Sequence, residues 1–151
     1  MKVKIYIAIL LLGIVSTSCT QNNGHIGNLF GAWVMTEMTV DGEPKVFPDE
    51  VYTTVAFQND VVRFDYHYAY GSYYERYGTW KLVDNTLTLD FNHHDDQYGQ
   101  GSGAYGTPDW LGFPAGKPVE VTMSEAGSSR MTWITSGADG EVLMYKFERT
   151  W

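Results

Sequence analysis

The sequence predicts an all-β domain, an eight-stranded antiparallel up-and-down barrel. Three observations carry that expectation. Apolar and polar residues alternate with a period of two along several segments, as they must where successive side chains point to opposite faces. The chain holds 5 Trp, 11 Tyr and 7 Phe in 151 residues, and such residues suit a pleated, half-buried surface. Short clusters of turn chemistry separate the segments, as at Gln58-Asn59-Asp60, Val83-Asp84-Asn85 and Gly137-Ala138-Asp139-Gly140, while helix signals are nearly absent. A two-sheet sandwich would use the same strands. Closing the sheet is preferred because a barrel leaves no exposed edge.

The N-terminal segment stands outside this fold. Lys2 and Lys4 make a basic start, an apolar run covers 5–15, and Ser16, Thr17 and Ser18 lead into Cys19. This is the layout of a secretory signal. The apolar run is too short to span a bilayer, which takes about 20 residues. Cys19 is the only cysteine, so no disulfide forms within the chain. Its place after the small residues resembles a bacterial lipobox, which implies a lipidated N-terminus and a protein anchored to a membrane without spanning it. The expected organisation is a signal peptide over 1–18, a lipidated N-terminus and polar tether over 19–28, and a barrel over 29–151. The tether has no acidic run after Cys19, which favours an outer-membrane position facing the periplasm.

The expected strands are A 31–40, B 51–58, C 61–70, D 73–83, E 86–91, F 118–124, G 129–136 and H 141–150. Strand C is the clearest. Val62, Phe64, Tyr66, Tyr68 and Tyr70 fall on one face, and Arg63, Asp65 and His67 on the other. In a meander, turns alternate between two ends. Connections B–C, D–E and F–G share one end and are all short. The long connections 41–50 and 92–117 share the other end. Long loops in compact domains are commonly functional, so the elaborated end is the expected mouth.

Strand A starts at the trimmed end with Gly31 and Trp33 on one face, and strand H finishes there with Arg149. Trp33 is expected to plug the barrel floor with Arg149 stacked on its indole, a contact worth about 0.5–2 kcal/mol. Gly31 would let the chain pass close beneath. This Gly-x-Trp opening with a basic residue on the last strand resembles the lipocalins. The segments "YGTWKLVDNTLTLDF" (77–91) and "YKFERTW" (145–151) are similar to the lipocalin-like lipoproteins of Bacteroidetes. The resemblance covers 29–151 and implies a lipocalin-like barrel with a binding function. Larger lipocalins elaborate the A–B connection most, whereas this chain elaborates E–F, so ligand type does not follow from the resemblance.

Candidate ligand-binding residues follow from parity. Met35, Glu37, Tyr66, Tyr68, Tyr70, Trp133 and Tyr145 are expected to face inward, with Trp110 over the mouth. Tyrosines and tryptophans offer an apolar wall with a few polar handles, the usual make-up of a small-molecule pocket. Large aromatics also suffice to fill so narrow a barrel. Glu37, if inside, needs a partner; a bulge would instead place it in solvent. Tyr98, Tyr105, Trp110 and Phe113 of the long connection are expected to be exposed and to cover the mouth when a ligand binds. His93, His94, Asp95 and Asp96 are the only cluster with metal-ligand chemistry. Adjacent histidines face opposite ways on a strand, so a solvated loop is the preferred reading and no metal or other cofactor is expected.

Lys and Arg total 10 against 18 Asp and Glu, a net charge of −8; losing Lys2 and Lys4 would take it to −10. Nucleic acid, which needs a basic surface, is excluded as a partner. No nucleophile elbow, phosphate loop or Cys/His pair is present, so no enzyme is expected. The leading functional expectation is a lipoprotein binding a small, largely apolar molecule at the cell envelope, in contact with the membrane through its lipid anchor only. The alternative is an interaction protein with a filled barrel, its E–F loop gripping another protein or an envelope polysaccharide.

Overall fold

The computed structural model describes residues 27–92, 105–127 and 129–150. Cys19, the leader and tether before Gly27, the His93–Asp96 cluster, Tyr98 and Trp151 lie outside the described residues. The strands are β1 (Gly31–Val40), β2 (Glu43–Pro44), β3 (Tyr52–Gln58), β4 (Val61–Tyr68), β5 (Ser72–Val83), β6 (Thr86–Asp90), β7 (Val119–Ala126), β8 (Arg130–Ser136) and β9 (Val142–Arg149). They form one sheet in sequence order, except that the two-residue β2 folds back on the end of β1. β1 also pairs with β9, from Trp33↔Arg149 to Val40↔Leu143. That pairing closes an antiparallel barrel of eight strands, as the alternation predicts. Helical structure among the described residues is limited to three-residue 3-10 turns.

The two ends differ as the turn lengths require. Asn59-Asp60, Asp84-Asn85 and the turn after Ala126 close one end. Asn59 and Asp84 take positive φ of 51° and 53°, which Asn and Asp tolerate better than other side chains. Segments 41–51, 69–71, 137–141 and the described parts of the long connection, 91–92 and 105–118, lie at the opposite end.

Trp33 closes the floor. It is fully buried, its indole N–H donates to the Leu29 carbonyl at 3.0 Å, and the Arg149 guanidinium lies 4.5 Å from its ring centroid. Arg149 also donates to the Asn28 carbonyl. Gly31 has φ of 121°, a conformation side chains resist. That explains the glycine two places before the tryptophan: the chain must turn under the indole before it enters β1.

The inner face is a continuous aromatic core. Trp33, Phe57, Phe64, Trp133, Tyr145 and Phe147 are all fully buried. The Trp133 ring lies 4.6 Å from Phe147, 6.1 Å from Phe57 and 6.3 Å from Phe64. A barrel of this strand number is just wide enough for its own side chains, and here these rings fill its middle.

Two inward expectations are corrected. Glu37 does not face the interior. β1 carries a bulge between Met35 and Glu37, where two residues oppose one of β9; a bulge flips the following side chains to the other face. Glu37 forms an exposed ion pair with Lys146 at 2.9 Å, and Met38 takes the inner face in its place. Tyr70 is not in strand C at all. β4 ends at Tyr68, and Tyr70 sits in a tight turn with φ of 68° and its side chain entirely in solvent.

Candidate functional site

The mouth is built from β4, β5 and the long connection before β7. On β5 the buried Gly78 and Trp80 mark the inner face, so Tyr74 and Arg76 share it by parity. Cross-strand pairing puts Tyr66 opposite Tyr74 and Phe64 opposite Arg76. β5 runs past the end of β6, whose last pair is Thr79↔Asp90. The long connection covers the edge left open, bridging at Tyr77↔Tyr105.

The same connection then enters the barrel. Asp109–Leu111 form a 3-10 turn capped by Gly112 at φ of 76°, where a side chain would be strained. The turn drives Leu111 and Phe113 inward, to 0% and 4% exposure. Phe113 packs against Tyr145, Phe64 and Phe91 at 5.6, 6.2 and 6.2 Å. Trp110, half-buried above them, lies 5.4 Å from Tyr66 and 5.3 Å from Tyr74. Three hydrogen bonds pin this lid. The Tyr145 hydroxyl donates to the Leu111 carbonyl at 2.5 Å, the Lys45 ammonium to the Trp110 carbonyl at 3.0 Å, and the Ala138 N–H to the Gly112 carbonyl at 3.2 Å. Burial pushes the Tyr145 phenol well above its ordinary 10, so it remains a donor at every physiological pH.

The expected site residues therefore separate. Tyr66 and Trp110 meet at the mouth, and Tyr68 borders them at the rim, 6.4 Å from Tyr66. Trp133 and Tyr145 are core residues. Met35 lines a separate recess of about 240 Å³ with Met38, Lys45, Phe47, Val51 and Tyr52, where β1 and β3 part. Phe113 was expected to be exposed and is instead part of the core. An apolar side chain in a glycine-rich loop reads as solvent-facing unless its neighbours are weighed; "DWLGF" places three large apolar residues within five, too many for a wet turn.

Sequence reasoning missed Tyr74 and Arg76. Strict alternation back from Trp80 would have found both. The Arg76 guanidinium lies 4.0 Å from the Tyr74 ring centroid and donates to the Glu75 carbonyl at 3.2 Å. Among the described residues it forms no ion pair with a carboxylate. No group of three or more His, Cys, Asp or Glu residues that could hold a metal occurs among the described residues, and none of their helices is long and apolar enough to cross a membrane.

A family model for the lipocalin-like domain matches residues 29–104, just over half of the chain. The chain belongs to the lipocalin-like domain family. Two solved structures share its fold. A lipocalin-like protein from Bacteroides uniformis is 14% identical, with a TM-score of 0.57 over 82% of this chain and 99% of its own. An uncharacterized protein from Bacteroides eggerthii is 18% identical, with a TM-score of 0.58 over 80% and 98%. No curated protein matches the chain. A lipocalin-like barrel is typically a binding fold rather than a catalytic one, and in this member Leu111 and Phe113 pack into the end expected from the loops to bind.

Proposed function

We propose that the protein is a non-enzymatic binding module that takes a small, largely apolar molecule at the barrel mouth beneath Trp110. One observation carries this reading: Leu111 and Phe113, from a connection outside the sheet, occupy the mouth interior. They are an internal stand-in for a ligand. Whatever displaces them must match their size and apolar character, because it inherits the same aromatic walls. Arg76, beside Tyr74 and Trp110, offers an acidic group on that molecule a charge-assisted contact. The alternative of a filled barrel gripping a partner through the long connection has less support, since the apolar part of that connection is turned inward.

Cys19 after its apolar run supports lipidation and an envelope location. In that arrangement the nine-residue tether 20–28 joins the floor end and reaches at most about 30 Å. The floor then faces the membrane and the mouth faces away. In a diderm host the full chain should partition with membranes and Cys19→Ala with soluble protein. Equal partition of the two overturns the anchor.

Binding is tested with decanoate and 1-decanol as probes, read through tryptophan fluorescence in the lipid-free domain. Both should saturate the signal, decanoate about tenfold tighter because of Arg76. No saturable response to either probe overturns the mouth site.

A further inference from the structure

The outer face of β3, β4 and β5 carries a second constellation that neither the core nor the mouth uses. Registers align it in three rows: Tyr52–His67–Tyr73 nearest the mouth, then Thr54–Asp65–Glu75, then Ala56–Arg63–Tyr77. Barrel exteriors are normally solvated, yet Asp65 is only 4% exposed. Its Oδ2 receives Arg63 Nε at 3.1 Å and the Thr54 hydroxyl at 3.3 Å. Its Oδ1 is buried without a hydrogen-bond partner. His67 Nε2 lies 3.2 Å from the same Thr54 hydroxyl, and the Tyr77 hydroxyl donates to Glu75 at 3.0 Å.

Burial raises the Asp65 carboxyl above its ordinary 3.8, against Arg63 and Thr54, which lower it; His67 lowers it and Glu75 raises it further. A carboxyl that binds its proton more tightly when folded costs stability as pH rises from 3.8 through the folded value. The unpartnered Oδ1, nearly inaccessible on a face that is otherwise wet, sets Asp65 apart from an ordinary surface carboxylate, and a carboxyl perturbed by burial beside a groove is a candidate functional group.

Two neighbouring features give the site its chemistry. Above Asp65, Tyr52 stacks on His67 at 4.3 Å and 7°, with Tyr73 at 5.8 Å on the other side. The outer members, Tyr52 and Tyr73, are 47% and 56% exposed and keep ring surface open. Below it lies a groove of about 530 Å³, floored by Gly31, Ala32 and Ala56 and walled by Gln58, Arg63 and Tyr77. That is the size of a small-ligand site.

We infer that this strip is a second binding site, for a neutral saccharide. Aromatic surface suits the C–H face of a sugar ring. The Glu75 carboxylate, the Arg63 guanidinium held by the buried Asp65, the His67 imidazole and the tyrosine phenols suit hydroxyls, each of which both donates and accepts. The chain's net charge of −8, the Glu75 carboxylate and the pairing of Arg63 with Asp65 disfavour an anionic polymer.

Affinity electrophoresis of the full chain in gels holding dextran, yeast mannan or arabinoxylan tests this, with alginate as the anionic comparison. At least one neutral polymer should retard the protein while alginate does not. Tyr73→Ala, at an exposed position that cannot unfold the barrel, and Asp65→Asn should each weaken the retardation about tenfold. Asp65→Asn should nonetheless melt no lower than the unaltered chain at pH 7, which separates a binding role from a structural one. Retardation by alginate alone, by none of the polymers, or to an extent that Tyr73→Ala and Asp65→Asn leave unchanged overturns the site.

Discussion

Trp33→Ala should unfold a large part of the population well below the melting temperature of the unaltered chain. The indole is fully buried, bonded to the Leu29 carbonyl and covered by Arg149. Truncating a buried tryptophan costs about 3–5 kcal/mol, against a total stability of about 5–15 kcal/mol for a domain. The loss also orphans the Leu29 carbonyl and removes the ring against which the Arg149 guanidinium lies. A thermal scan should show a fall on the order of 10–25 °C. Trp33→Phe keeps most of the volume and should fall much less. Affinity for decanoate at the mouth, measured well below the transition, should be unchanged. A Trp33→Ala protein that keeps its melting temperature but loses decanoate would place the ligand at the floor and reverse the polarity of the barrel.

The elements that set the fold were legible because they depend on local alternation and turn chemistry. β1 has the bounds expected of strand A, and Trp33 meets Arg149 because barrel closure sets β1 beside β9, where those two positions pair. Glu37 was legible only as a choice between an inward carboxylate and a bulge that sends it to solvent. Whether β1 bulges depends on how Thr36 and Glu37 fit against Lys146 more than a hundred residues away, and one extra residue reverses the parity on which the inward reading rested. Tyr70 failed for a different reason. The alternation in 61–70 continues through it, but the chain must turn before Ser72, and the tight turn takes Tyr70 out of the ladder in a conformation that non-glycine residues seldom adopt. The lid failed because glycine content signals a loop and says nothing of where the loop packs. Asp65 was assigned to the outer face correctly; its burial there depends on side chains from three strands and has no signature along the chain.

Leu111→Ala should make the protein less stable and its ligand tighter. The side chain is fully buried, and shortening a buried leucine costs about 2–5 kcal/mol. None of the barrel's ladder bonds passes through position 111, so the loss falls on lid closure first, and hydrogen exchange over 109–113 should accelerate more than exchange in β3 or β8. A ligand that must displace the lid binds with an affinity reduced by the fraction of molecules that are open. A lid closed in 99 of 100 molecules would weaken binding about a hundredfold, and destabilising it by a few kcal/mol removes most of that penalty. Decanoate affinity should therefore rise by about 10- to 100-fold as the melting temperature falls. Tyr145→Phe, which deletes only the 2.5 Å bond to the Leu111 carbonyl, should move both quantities the same way by a smaller amount. Two separate changes to the lid, each lowering stability and raising affinity, would identify the 109–113 segment as a competitor for the site. A fall in affinity in both variants would instead make Leu111 and Tyr145 part of the wall the ligand touches, and the closed state would then be the binding-competent one.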